Sequence, residues 1–122
     1  MSTHKDIKHK KGFSPTDYFL IKDSNAVEID LIGNNWTAEV RVRRGYKTDA
    51  PVLETFSTSN GKLLLNPDVT GRIDFNFDGT EFLSETIKGV ENSYNWDMQV
   101  TDGQSLVKHD VYEGSYILRS NL

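Results

Sequence analysis

Apolar and polar residues alternate along this chain with a period of two, the signature of strands that are dry on one face and wet on the other. Val27, Ile29 and Leu31 alternate with Glu28 and Asp30. Trp36, Ala38, Val40 and Val42 alternate with Thr37, Glu39, Arg41 and Arg43. Ile73, Phe75 and Phe77 do so with Arg72, Asp74 and Asn76, and Tyr94, Trp96, Met98 and Val100 with Asn95, Asp97 and Gln99. Shorter β-prone stretches cover 18–21, 52–58, 62–65, 104–108 and 111–118. Between them lie turn-forming pairs: Asp23 and Asn25, Gly33 and Asn34, Asn60-Gly61, Asp78-Gly79 and Asp102-Gly103. Asp and Asn bond their own backbone, and Gly accepts positive φ at no steric cost. One helix is predicted, over 81–88. Thr80 would cap it, Phe82, Leu83 and Ile87 would give an apolar face, and Gly89 would stop it.

The spacing of strand and turn signals predicts an all-β domain. We expect an immunoglobulin-like or Greek-key antiparallel β-sandwich of seven or eight strands with one short helix. Its expected core holds Trp36, Val40, Ile73, Phe75, Phe77, Tyr94, Trp96, Met98 and Val100. Glu113-Gly114 reads as a bulge or bend, because a glycine there breaks the alternation. Residues 1–15 are polar and end in Gly12, Phe13, Ser14 and Pro15, so they read as a flexible basic arm preceding a sandwich domain at 16–122.

Charge divides along the same boundary. The 122-residue chain carries a formal −4. Residues 1–16 hold Lys5, Lys8, Lys10 and Lys11 against Asp6, or +3, which leaves −7 on the rest. An acidic body opposes general binding to phosphate backbones, so nucleic acid is an unlikely partner. There is no cysteine, which excludes disulfides, thiolate nucleophiles and cysteine-held metals. No apolar run approaches the ~20 residues of a membrane helix, and no apolar segment follows the N-terminal lysines, so neither membrane insertion nor a secretory signal is expected.

Catalytic chemistry leaves no trace in the motifs. Carboxylates fall on the outward phase of strands or in turns, and Asp74, Asp78, Asp97 and Asp102 form neither a calcium-loop spacing nor a recognisable glycosidase pair. His109 and Asp110 are neighbours on a strand and therefore face opposite ways. Phosphate-binding and dinucleotide glycine fingerprints are absent. These readings predict a chain that is not an enzyme and takes no cofactor or metal. What remains is a basic-aromatic stretch, Arg41, Arg43, Arg44, Tyr46 and Lys47, suited to an acidic protein neighbour. Phe13 on the arm and Tyr112 and Tyr116 in the last hairpin complete the expected partner-binding set. A glycan- or nucleic-acid-binding module without catalysis is the alternative reading.

The segments "AVEIDLIGNNWTAEVRVRRG", "VLETF", "GRIDFNF", "TEFLSETIKG", "YNWDMQVTDGQ" and "HDVYEGSYIL" follow one another in an order that resembles small β-sandwich modules of tailed-bacteriophage structural proteins. In particular, the chain is similar to the N-terminal domain of siphophage baseplate upper proteins and related tail or fibre-anchoring modules. The resemblance rests on Asp30, Leu31, Ile32 and Gly33, on Trp36 to Arg41, and on the aromatic strand from Tyr94 to Gly103, within roughly 18–118. It implies a virion structural protein made in the host cytoplasm. Such a tail, neck, baseplate or capsid-associated component would contact other virion proteins in a symmetric ring or repeated assembly.

Overall fold

A computed structural model describes residues 2–45 and 50–120. It is all-β, with nine strands in two sheets among the described residues: β1 (Thr3–His4), β2 (Ile7–Lys10), β3 (Tyr18–Leu20), β4 (Thr37–Arg43), β5 (Val52–Ser57), β6 (Leu63–Leu65), β7 (Arg72–Phe75), β8 (Glu91–Thr101) and β9 (Lys108–Arg119). The larger sheet runs β1-β9-β8-β4-β5, with β2 also on β9. The smaller runs β3-β7-β6.

The two sheets face each other across an aromatic core, as the alternation requires. Val40, Val42, Tyr94, Trp96, Met98, Val100, Tyr116 and Leu118 line the inner face of the larger sheet, and Phe19, Leu63, Ile73 and Phe75 line that of the smaller. Phe19 meets Trp96 at 5.5 Å and Tyr112 at 5.3 Å between centroids, while Phe56 meets Phe75 at 5.6 Å and stacks on Phe77 at 4.9 Å. Offset and edge contacts of this kind add about 0.5–1.5 kcal/mol each beyond the area they bury. Seven of the nine expected core residues are buried. Phe77 is half-buried, and Trp36 stands at the rim, stacked on His109 at 5.9 Å.

Four expectations are corrected. The first is the flexible arm: residues 3–10 form β1 and β2, both parallel to β9 (Ile7 opposite Tyr116, His9 opposite Leu118). Ile7 is wholly buried, so the segment supplies the apolar area that its composition seemed to lack. The second follows from it. The larger sheet is mixed, not antiparallel, and the strands number nine.

The third correction is the helix. Residues 81–84 form a turn, and no helix occurs among the described residues. Phe82 sits at φ 62°, in the left-handed region, which a right-handed helix cannot pass through. The fourth is the strand at 27–31, reduced to one bridge between Lys22 and Glu28. Asp30 instead organises a turn, its carboxylate accepting from the Gly33 amide and its carbonyl from the Asn34 side chain. Short polar side chains that bond locally compete with ladder formation in this way.

Candidate functional site

One end of the sandwich is built from two turns, residues 31–35 before β4 and residues 102–107 between β8 and β9. They are locked together. A Cβ on Gly103 would overlap the carbonyl oxygens of Asn34 and Asn35, so only glycine permits this approach. The Gln104 side chain also donates through Nε2 to the Asn34 side-chain oxygen at 3.2 Å. Within the second turn the Asp102 carboxylate accepts the Gln104 amide at 2.8 Å, and Leu106 closes the loop by donating to the Asp102 carbonyl at 2.9 Å.

That closure forces Leu106 to φ 61°. A leucine there carries a backbone cost of roughly 1–2 kcal/mol, yet its side chain is 73% exposed. Val107 and Ile32, on the same two locked turns, are about half exposed. A rigid loop end therefore presents apolar side chains to solvent, one of them held in a strained conformation from which the isolated chain gains no burial. Backbone strain and exposed apolar side chains thus coincide at this end of the sandwich.

The basic-aromatic stretch is divided by the fold. Arg41 and Arg43 stand on the outer face of the larger sheet and share Asp97, whose oxygens lie 2.7 Å from Arg41 Nη2 and 3.9 Å from Arg43 Nη1. Glu39 adds a longer contact to Arg41. Both Nε atoms are buried and lack a hydrogen-bond partner. The pair borders a recess of about 610 Å³ that Asn95, Gln99, Asp110, Glu113 and His4 also line. With three carboxylates against two guanidinium groups, this is a polar, mixed-charge surface and not a basic one.

Arg44 departs from the patch and pairs with the Glu85 carboxylate. Burial raises the pKa of Glu85, but bonds from Arg44 and from the Tyr94 hydroxyl outweigh it and leave the carboxyl below its ordinary range. Tyr46 and Lys47 lie outside the described residues. Phe13 is 61% exposed. Tyr112 is half-buried, its hydroxyl donating to the Leu20 carbonyl at 2.9 Å. Tyr116 is wholly buried and cannot be a surface anchor. It faces inward because it pairs with Tyr94 across β8 and β9, in register with the core positions.

Tyr116 has an internal task. Both Lys10 and Phe13 present carbonyls to His9 Nδ1, at 3.0 and 2.7 Å. Carbonyls only accept, so the proton sits on Nδ1, and Nε2 accepts from the Tyr116 hydroxyl at 2.7 Å. Burial lowers the His9 pKa against the two carbonyls that raise it, and burial also pushes the Tyr116 phenol well above its usual value.

The exposed Ile32, Leu106 and Val107 were not among the contact residues expected from the sequence, and the β-prone stretch expected at 104–108 is a turn up to β9 at Lys108. The available signal was an adjacent apolar pair, Leu106-Val107, directly behind a turn motif where no alternation continues. No protein-family model matches the chain, and no curated protein is significantly similar to it.

Proposed function

We propose that this chain is an immunoglobulin-like structural module of a tailed-phage virion that works by docking on neighbouring subunits, without catalysis. The observation that carries the docking role is Leu106, strained and exposed on a loop end that glycine 103 and the Asn34 contacts hold rigid. The virion assignment rests on the likeness of the Asp30–Gly33, Trp36–Arg41 and Tyr94–Gly103 segments to phage sandwich modules.

Strand order supports the immunoglobulin-like reading. β4, β8, β9 and β5 stand as the C, F, G and C′ strands of one sheet, and β3, β7 and β6 as B, E and D of the other. The first strand lies against the last rather than beside β3. Tyr94, near the start of the F-like strand, donates to the Glu85 carboxylate in the preceding connection at 2.7 Å, a side-chain bond at the position where such sandwiches bond a tyrosine corner to the backbone.

Cryo-electron microscopy of the intact source particle tests the proposal. The expected result is this chain traced in the map with Leu106 and Val107 covered by a neighbour. Finding it absent from purified particles, and associated with a host enzyme in infected cells, would remove the structural reading. The recess beside Arg41 and Arg43 favours the glycan-binding alternative, which predicts saturable binding on a glycan array that is lost in Asp97→Ala.

A further inference from the structure

Residues 3–10 are held by a seat that the rest of the chain builds for them. Along β9 the seat offers one open strand edge, and β1 and β2 fill it in parallel register. At its centre the ladder is interrupted, and the Lys5 carbonyl turns inward over Gly114. A Cβ at 114 would overlap that oxygen, so the glycine is a slot for a backbone carbonyl. The Trp96 indole Nε1 donates to the same oxygen at 2.9 Å. Beside it, the Lys5 amide donates to the Glu113 carbonyl at 2.8 Å, and the Ser115 amide donates to the Asp6 carboxylate at 3.0 Å. Further along, the Ile7 side chain enters the core and the Tyr116 hydroxyl meets His9.

The strand edge, the glycine slot and the indole donor of the seat belong to β8 and β9, Phe77 and Phe82 add ring contacts to His9, and the matching elements lie in residues 3–11. The charge match is equally one-sided, since the donor segment lies in the +3 region and the seat in the −7 body, with Lys8 3.6 Å from Glu91. The segment joins the body through residues 11–17, where Gly12 holds φ 88°, Phe13 is exposed and Pro15 stiffens the chain. A seat of this kind does not distinguish its own donor strand from that of another copy. Exchange between copies repeats the same contacts, so its cost lies in the connection alone.

We propose that the groove along β9 is a strand-acceptor site, filled in assemblies of this chain by residues 3–10 of a neighbouring copy. The idea rests on the docking reading above and adds a donor, an acceptor and a register to it. Extended segments that add to an open sheet edge gain affinity from main-chain bonds and specificity from alternate side chains, here Ile7 and His9.

The absence of native cysteine makes the test direct. Lys8 and Ile117 are register partners with side chains on the outer face. Lys8→Cys and Ile117→Cys chains are purified separately, mixed, unfolded and refolded together at high concentration, then mildly oxidised. Exchange predicts a covalent heterodimer well above the yield of a control mixture of Lys8→Cys with Glu39→Cys, whose cysteines lie on β2 and the distant β4. The double variant, refolded dilute, should close within one chain. Intrachain closure without any heterodimer excess would overturn exchange, and failure of the double variant to close would overturn the seat itself. The two proposals fail separately: a heterodimer from a chain absent from particles removes the virion role and keeps exchange. A chain present in particles without heterodimer excess does the reverse.

Discussion

Four non-glycine residues among those described take a left-handed backbone, Ala26, Asn35, Phe82 and Leu106, and the two bulky ones, Phe82 at φ 62° and Leu106 at φ 61°, stand at opposite ends of the sandwich. Phe82 is 1% exposed and Leu106 is 73% exposed. The strain at Phe82 turns its ring into the core against Tyr94 and Tyr116, at 6.0 and 5.3 Å, and the burial more than repays it. The Phe82 amide is also taken up by the Glu54 carboxylate at 2.8 Å. Leu106 receives no comparable return within the chain. The difference teaches where the two strains are offset: at Phe82 by burial within the fold, and at Leu106 by nothing within the chain, which is why the docking proposal is placed there.

The ends also differ in how they treat charge. Around Phe82, Glu81 and Glu85 are buried, and each holds a cation, Lys62 and Arg44 respectively. Buried carboxylates survive only when paired and bonded, so this end is closed by an internal network. Among the described residues the Leu106 end has no buried carboxylate, and its turns are held by the close backbone approach at Gly103 and by exposed bonds to Asp102 and Asn34.

The largest expected effect is at the closed end. Phe82→Ala should destabilise the fold by about 3–5 kcal/mol, as buried aromatic truncations do, measured as a fall in the urea midpoint. A loss under 1 kcal/mol would show that the segment is a detachable flap. Glu85→Gln comes next. It keeps the shape but removes the charge that Arg44 and Tyr94 address, and should cost on the order of 1–3 kcal/mol.

Acid should weaken the same end in two steps. His9 has a folded pKa below its ordinary 6.5, so the unfolded chain takes up a proton that the folded chain resists. Its contribution is complete above about 6.5 and is lost as pH falls from there through the lowered folded value. Glu85 contributes fully above its ordinary 4.5, and that part disappears as pH falls through its own depressed value. Urea midpoints across this range should decline in both windows, and His9→Gln should flatten the upper one. An unchanged upper slope in that variant would assign the titration to another group.

At the open end the sign reverses. Leu106→Asn places a residue that tolerates φ near 60° and should stabilise the isolated chain by up to about 1 kcal/mol. It should also weaken incorporation into assemblies, read from its occupancy in purified particles. Greater stability with undiminished incorporation would break the link between strain and docking.

The class of fold was legible because its cause is local. Alternation at Trp36–Val42, Ile73–Phe77 and Tyr94–Val100 obliges a sheet with one dry face, and seven of nine expected core residues obey it. The helix at 81–88 was misread because the apolar spacing of Phe82, Leu83 and Ile87 carries no information about φ at Phe82. Arg41, Arg43 and Arg44 look continuous in sequence, but successive strand positions alternate faces and the strand ends at Arg43, so Asp97 and Glu85 divide them.

What the sequence alone determined is therefore the all-β class, most of its core and the surface position of Phe13. Only the tertiary structure decided that Thr3–His4 and Ile7–Lys10 are part of the sheet. Ile7 and His9 are too few to form a strand by themselves, and their burial depends on the slot at Gly114, the Trp96 indole and the Tyr116 hydroxyl, about a hundred residues away along the chain. Alternation reports the face a residue prefers, whereas the partner that supplies that face is set by contacts distant in sequence.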